Sequence, residues 1–96
     1  MTINVERNFE LVMLEISGRL DATTAPNLEK IVNELPGDTK ELVFDMAGLE
    51  YISSAGIRML LGAYKKMNLN QGIMRIEKSN DIVRKVFEMS GLLQML

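Results

Sequence analysis

Residues 44–57 have the sequence FDMAGLEYISSAGI, and this stretch indicates the fold class of the chain. The apolar residues that precede Asp45 predict a short buried strand that ends at this acid. From Ser54 onward, apolar residues recur at the spacing of an amphipathic helix. A loop between the two elements would bring Ser53 and Ser54 to the helix start. A strand, a loop and a helix in this order are typical of an α/β fold.

The segments on either side of this stretch predict further strands and helices. Alternating apolar and polar residues predict a half-buried strand over residues 2–7, and a more continuous apolar run predicts a covered strand over residues 11–17 that Gly18 ends. After these strands, the pattern predicts a helix with Pro26 in its first turn and one apolar face made by Leu28, Ile31, Val32 and Leu35. A strand is predicted near residues 73–78. The last predicted helix is capped by Ser79 or Asn80, ends at Gly91 and has an inward face made by Ile82, Val83, Val86 and Phe87.

The resulting order is β-β-α-β-α-β-α. Strands separated by helices favour right-handed crossovers and a mainly parallel sheet, and the first strand would add to it as a hairpin partner. A chain of 96 residues has the length of one domain. We therefore expect a single α/β domain over residues 1–96, with helices packed on the sheet.

The composition argues against several functional classes. The chain has no histidine and no cysteine, so the commonest general base and the commonest metal ligands are absent. Asp21, Asp45 and Glu50 lack a nucleophile–base arrangement, and the glycines do not form a dinucleotide fingerprint. A net charge of −2 argues against nucleic acid, and no apolar run is long enough to span a membrane. We expect a cytoplasmic protein that is not an enzyme and needs no metal or cofactor.

The two serines at the predicted helix start have two interpretations. The first N–H groups of a helix lack partners within the helix, and a serine hydroxyl commonly caps one of them. The same N–H groups and the helix dipole would also stabilise a phosphoryl group on Ser53 or Ser54. From the residues alone both interpretations stay open, and capping is the more common use of serine.

The same stretch resembles the STAS domain family, whose pattern has an acid at a strand end, then a leucine, an aromatic residue, an aliphatic residue, a small polar pair and a glycine. Bacterial anti-sigma-factor antagonists of this family carry Asp-Ser-Ser/Thr-Gly here, and a partner kinase phosphorylates the serine after the aspartate. Without gaps, the family's aspartate falls on Ser53, its phosphoacceptor on Ser54, its second hydroxyl on Ala55 and its glycine on Gly56.

Two further motifs carry the resemblance over nearly the whole chain. Residues 18–21, GRLD, resemble the glycine-x-leucine-aspartate that follows the second strand, so that Asp21 corresponds to an acid near the phosphoserine loop. Residues 89–92, MSGL, resemble the closing helix motif. The chain ends at Leu96, where a last strand and helix often follow in the family, and Leu92, Leu93, Met95 and Leu96 would cover part of the core or leave an edge open.

The resemblance implies an anti-sigma-factor antagonist that binds a switch-kinase anti-sigma factor until Ser54 is phosphorylated. Its implied partners are that serine kinase and a serine phosphatase, and we expect a monomer or weak dimer. Because Ser53 replaces the usual aspartate, a structural STAS subunit of a lipid-transport, sulfate-transport or stress-signalling assembly is the alternative. The implied partner-binding loop contains Asp21, Asp45, Ser53, Ala55, Gly56, Ile57 and Met59. Met46, Ile52, Ile57 and Met59 would offer apolar contacts if exposed, although Ile57 fits a core position better.

Overall fold

A computed structural model describes residues 1–91 of the chain. Its elements are β1 (Thr2–Asn8), β2 (Leu11–Leu20), α1 (Ala25–Asn33), β3 (Glu41–Ile52), α2 (Ser54–Leu69), β4 (Ile73–Glu77) and α3 (Asp81–Ser90). The strands form one sheet in the order β1-β2-β3-β4, in which β1 is antiparallel to β2 and the other pairs are parallel. The predicted α/β fold is confirmed. The expectation for Leu92, Leu93, Met95 and Leu96 lies outside the described residues.

One face of the sheet forms the core with all three helices. Alternate residues of β2 and of the first half of β3 point into one apolar cluster that they share with α1, α2 and α3, and Val43, between two of these positions of β3, is also fully buried. The other face carries charged pairs, which include Arg75 with Glu41 at 3.1 Å and Lys78 with Asp45 at 3.4 Å. Among residues 1–91, no helix is both long and apolar enough to cross a membrane.

The third strand is much longer than the sequence predicts. Instead of ending at Asp45, β3 continues to Ile52, and the predicted loop is strand. Two irregularities in the pairing with β2 each place one extra residue in β3. These bulges change which side chains face the core, so that the buried positions become Met46, Leu49 and Ile52. A spacing of three residues does not show the two-residue alternation by which a strand is recognised.

Two smaller expectations are also wrong. Gly18 does not end β2, because the strand continues to Leu20 with Gly18 at a positive φ of 87° between the two irregularities. Ile82 is 69% exposed and does not face inward, whereas Val83 and Phe87 are fully buried. Val86 is partly buried and packs against the same core, so the face of α3 that meets the sheet carries Val83, Val86 and Phe87 and leaves Ile82 outside it.

The predicted limits of α3 are confirmed. The side chain of Asn80 accepts a hydrogen bond from the N–H of Val83 at 2.8 Å, and Gly91 ends the helix in the left-handed conformation. The amide of Asn80 also donates to the carbonyl of Leu49 at 2.8 Å. One side chain therefore caps α3 and holds it against the bulged part of β3.

Candidate functional site

The end of β2, the end of β3 and the start of α2 meet at one edge of the sheet. The N–H of Ser53 donates to the carbonyl of Leu20 at 2.9 Å. A Cβ atom on Gly56 would lie 2.8 Å from Leu20 Cγ and 2.8 Å from Ile52 Cγ1. Only a residue without a side chain allows this close approach of the first turn of α2 to the sheet.

The two serines have different environments at the start of α2. Ser54 is the first helical residue and is exposed, whereas the hydroxyl oxygen of Ser53 is buried and has no hydrogen-bond partner within residues 1–91. Ser53 occupies the N-cap position without making the cap hydrogen bond. The interpretation of Ser53 as a hydroxyl cap is therefore wrong, and the free N–H groups of α2 lie beside an accessible Ser54.

Asp21 begins the turn that follows β2 and leads into α1. Its carboxylate accepts hydrogen bonds from the hydroxyl of Thr23 at 2.7 Å and from the N–H of Thr23 at 3.0 Å. These bonds lower the pKa of Asp21, with a smaller contribution from Thr24. Because the N–H of Ser53 donates to the carbonyl of Leu20, which directly precedes Asp21, the Asp21 turn lies next to the start of α2. The structure therefore brings Asp21 and the serines to the same edge.

Arg19 is a neighbour of this edge that the sequence interpretation did not select. Its guanidinium lies 4.1 Å from the centre of the Tyr51 ring, the residue opposite it on β3. Its Nε lies 3.8 Å from the carboxylate of Asp21, and the side chain is 60% exposed. The attraction between cation and ring holds an accessible positive charge near the end of the sheet.

The structure does not place Asp45 with the serines. Asp45 lies in β3, seven residues before its last residue, Ile52. At the rise of a strand this separation is roughly 20 Å. Its carboxylate accepts from the N–H of Ala47 and pairs with Lys78. The expected contribution of Asp45 to the serine loop is therefore wrong, because the strand does not end at this acid.

The four apolar residues for which the sequence left open a contact surface near the serines belong mainly to the core. Met46 is 0% exposed and Ile52 is 4% exposed, so neither offers a contact surface. Ile57 also belongs to the core, which is the position that its spacing in the helix predicted. Met59 is 7% exposed, and what remains accessible lines a groove that begins at Ala55.

This groove lies between α1 and α2 and has a volume of about 430 Å³. Its base contains buried apolar residues of both helices, and exposed Glu29 and Arg58 stand on its two sides. The lining residues of α2 are Ala55, Arg58, Met59, Gly62 and Ala63. No sequence pattern predicted the groove, but the spacing of Arg58, one helical turn after Ser54, would have drawn attention to that residue.

The described part of the chain, residues 1–91, contains no group of three or more potential metal ligands that could hold an ion. The chemistry that the site does offer consists of an exposed hydroxyl, a helix start with free N–H groups and an adjoining groove. No acidic residue lies in the first turn of α2. An anion at this helix start would therefore meet partial positive charge without repulsion from its own helical turn.

Comparison with known proteins establishes the family. The STAS domain model matches residues 2–96, and the chain belongs to the STAS domain family. It is 25% identical over 99 residues to the anti-sigma-B factor antagonist of Staphylococcus aureus, a match that covers 100% of this chain and 92% of that protein.

Solved structures show the same fold. An anti-sigma factor antagonist from Mycobacterium paratuberculosis matches with a TM-score of 0.80 and 25% identity, covering 99% of this chain and 81% of that one. The Bacillus cell fate determinant SpoIIAA in its phosphorylated form matches with a TM-score of 0.77 and 21% identity, covering 98% and 87%. The chain also matches 20% of the length of the longer protein Mglu, with a TM-score of 0.73 and 18% identity over 81% of this chain.

Proposed function

We propose that this protein is an anti-sigma factor antagonist that phosphorylation of Ser54 switches off. Unphosphorylated, it binds an anti-sigma factor that is also a serine kinase, and the bound sigma factor is released. The observation that carries this proposal is the contrast at the start of α2, where Ser54 is exposed and the hydroxyl oxygen of Ser53 is buried. A kinase therefore reaches the hydroxyl of Ser54 and not that of Ser53.

The similarity to named antagonists supports the choice of partner. The relative in Staphylococcus aureus is an anti-sigma-B factor antagonist, and the match spans nearly the full length of both chains. SpoIIAA, which has the same fold, occurs in a phosphorylated form. Because Ser53 replaces the usual aspartate, the acceptor serine of this chain has no carboxylate immediately before it.

The switch works through local electrostatics. The kinase transfers the γ-phosphoryl group of ATP to the oxygen of Ser54, ADP leaves, and the hydroxyl proton passes to a base on the kinase. The product adds between about −1.5 and −2 charges to the surface beside the groove. A serine phosphatase restores the hydroxyl by adding water across the phosphate ester and releasing inorganic phosphate.

The test is incubation of the full chain with ATP and the anti-sigma factor kinase from the same organism, followed by intact mass and phosphopeptide mapping. One added phosphate on Ser54, absent from Ser54→Ala and retained in Ser53→Ala, is the expected result. No phosphate on any of these proteins would favour a structural STAS subunit that acts only by docking. A phosphate on Ser53 would move the switch by one residue.

A further inference from the structure

The groove between α1 and α2 is a candidate docking surface for a helix. Its lining runs from residue 55 to residue 63 of α2 and from residue 25 to residue 33 of α1, about 12 Å or two helical turns on each side. The buried residues Ala25, Val32, Met59 and Ala63 form an apolar base. Grooves of this kind receive the apolar face of an amphipathic helix.

Two opposite charges on the sides of the groove indicate the chemistry of that helix. Glu29 lies on the α1 side and Arg58 on the α2 side, and both are exposed. Neither forms an ion pair within residues 1–91. A complementary helix would carry an apolar residue toward the base, a basic residue toward α1 and an acidic residue toward α2.

Arg58 also lies within reach of the proposed switch. Ser54 is the first residue of α2 and Arg58 follows four residues later, so their side chains lie on the same stripe of the helix. A phosphate on Ser54 can therefore form a charge-assisted pair with the Arg58 guanidinium. The phosphate on Ser54 then neutralises the Arg58 guanidinium, which is no longer free to pair with a carboxylate of the docked helix.

We propose that the groove between α1 and α2 holds an amphipathic helix of the anti-sigma factor, and that Arg58 pairs with a carboxylate of that helix only while Ser54 is unphosphorylated. The proposal rests on the proposed function and adds the docking surface and the residue that couples it to the switch. Phosphorylation weakens docking in two ways, by placing negative charge at the end of the groove and by capturing Arg58.

Filling the groove tests the docking surface. A Cβ atom added at Gly62 would have no neighbouring atom within 4 Å, and leucine forms helices better than glycine, so Gly62→Leu should occupy the groove without weakening the fold. Titration calorimetry with the purified anti-sigma factor should show a loss of affinity of at least about tenfold. Asn68→Leu adds the same side chain to an exposed position of α2 outside the groove lining, and it should change affinity less than about twofold.

The Arg58 contact has a test that needs no partner. With genetically encoded phosphoserine at position 54, ³¹P NMR follows the second ionisation of the phosphate, whose ordinary pKa is about 6. Arg58 favours the dianion, so the phosphate pKa should rise in Arg58→Gln relative to the unsubstituted phosphoprotein. Arg84→Gln removes an exposed arginine of α3 and should leave the phosphate pKa unchanged.

The results separate the two proposals. If the unphosphorylated protein binds the anti-sigma factor and Gly62→Leu binds equally well, the docking surface is wrong while the function stands. An identical phosphate pKa in Arg58→Gln and the unsubstituted protein would overturn the coupling. With the anti-sigma factor present, phosphorylation of Ser54 should weaken binding by a smaller factor in Arg58→Gln than in the unsubstituted protein. If phosphorylation weakens the binding of Arg58→Gln by the same factor or a larger one, the coupling is also overturned. If the unphosphorylated protein does not bind at all, both proposals fail.

Discussion

The N–H of Ser53 donates to the carbonyl of Leu20 over 2.9 Å, and this hydrogen bond fixes the start of α2 to the end of β2. Because the two residues belong to different βα units, the bond brings the Asp21 turn and Ser54 to one edge of the sheet. Ser54 is therefore presented at a junction of two strands and a helix, and this position suits the proposed switch.

Gly56→Ala should destabilise the protein. The added Cβ would lie 2.8 Å from Leu20 Cγ and 3.0 Å from the Leu20 carbonyl oxygen, and overpacking of this kind costs roughly 1–3 kcal/mol. Urea unfolding measures the change. Gly62→Ala is the matched control in the same helix, where the new Cβ meets no atom within 4 Å and stability should rise by about 0.5–1 kcal/mol. An unchanged free energy of unfolding for Gly56→Ala would show that the residues around the added Cβ move apart to accommodate it.

How much of this junction follows from the sequence depends on the periodicity of each part. The helix from Ser54 was predicted because its apolar residues keep one period over 16 residues. The second half of β3 was missed because two bulges move the buried positions to Met46, Leu49 and Ile52. Bulges depend on pairing with β2, which a local pattern does not contain. The error on Asp45 followed directly, since a strand that seemed to end there would have opened into the serine loop.

The groove could not be predicted for a different reason. Its sides come from helices separated by a strand in the chain, and its lining includes small residues of both helices, such as Ala25 and Ala63. Either residue alone is an ordinary helix former. Only the parallel arrangement of the two helices on the sheet brings these positions together.

Ser54→Asp should weaken the complex with the anti-sigma factor, but less than phosphorylation does. A carboxylate brings one negative charge and two acceptor oxygens, whereas a phosphate brings more of each. Titration calorimetry with the purified partner measures both affinities. Ser54→Ala is the control and should bind at full affinity after incubation with kinase and ATP. Equal affinity for Ser54→Asp and the unsubstituted protein would count against an electrostatic switch.

Thr23→Val should raise the pKa of Asp21. The hydroxyl of Thr23 donates to the Asp21 carboxylate at 2.7 Å, and this bond is the main cause of a pKa below the ordinary 3.8. Carboxyl ¹³C NMR titration measures the change. Because the pKa is lower in the folded state, the ionised group stabilises the fold above pH 3.8, and this stabilisation is lost as the pH falls through the folded value. An unchanged pKa in Thr23→Val would assign the lowering to the backbone donors instead.

Asn80→Ala should destabilise the domain by roughly 1–3 kcal/mol, because it removes the cap of α3 and the hydrogen bond to Leu49 together. Asn80→Asp keeps an oxygen for the N–H of Val83 but has no amide to donate to Leu49. In urea unfolding, Asn80→Asp should therefore lose less free energy of unfolding than Asn80→Ala. If both variants lose the same stability, the cap contributes little and the contact with β3 accounts for the effect.

Phosphorylation of Ser54 should change the surroundings of the serine and leave the fold intact. The phosphate would lie at an exposed helix start with free N–H groups, and none of the residues that pack beneath it need move to make room. Amide chemical shifts of the two forms should differ over residues 52–62 and, through the Ser53–Leu20 bond, over residues 19–24. Residues near Asp45, roughly 20 Å along β3 from the serines, should show no change.

Ser54→Asp provides the comparison for these shifts, because its smaller charge should perturb the same residues by smaller amounts. Residues 82–87 of α3 are the decisive control region. They pack against the sheet through Val83 and Phe87, which are fully buried, so they would respond only if the core changed its packing. Shift changes that extend into α3 would mean that the domain has two global states, and a mechanism confined to the surface of α2 would then be wrong.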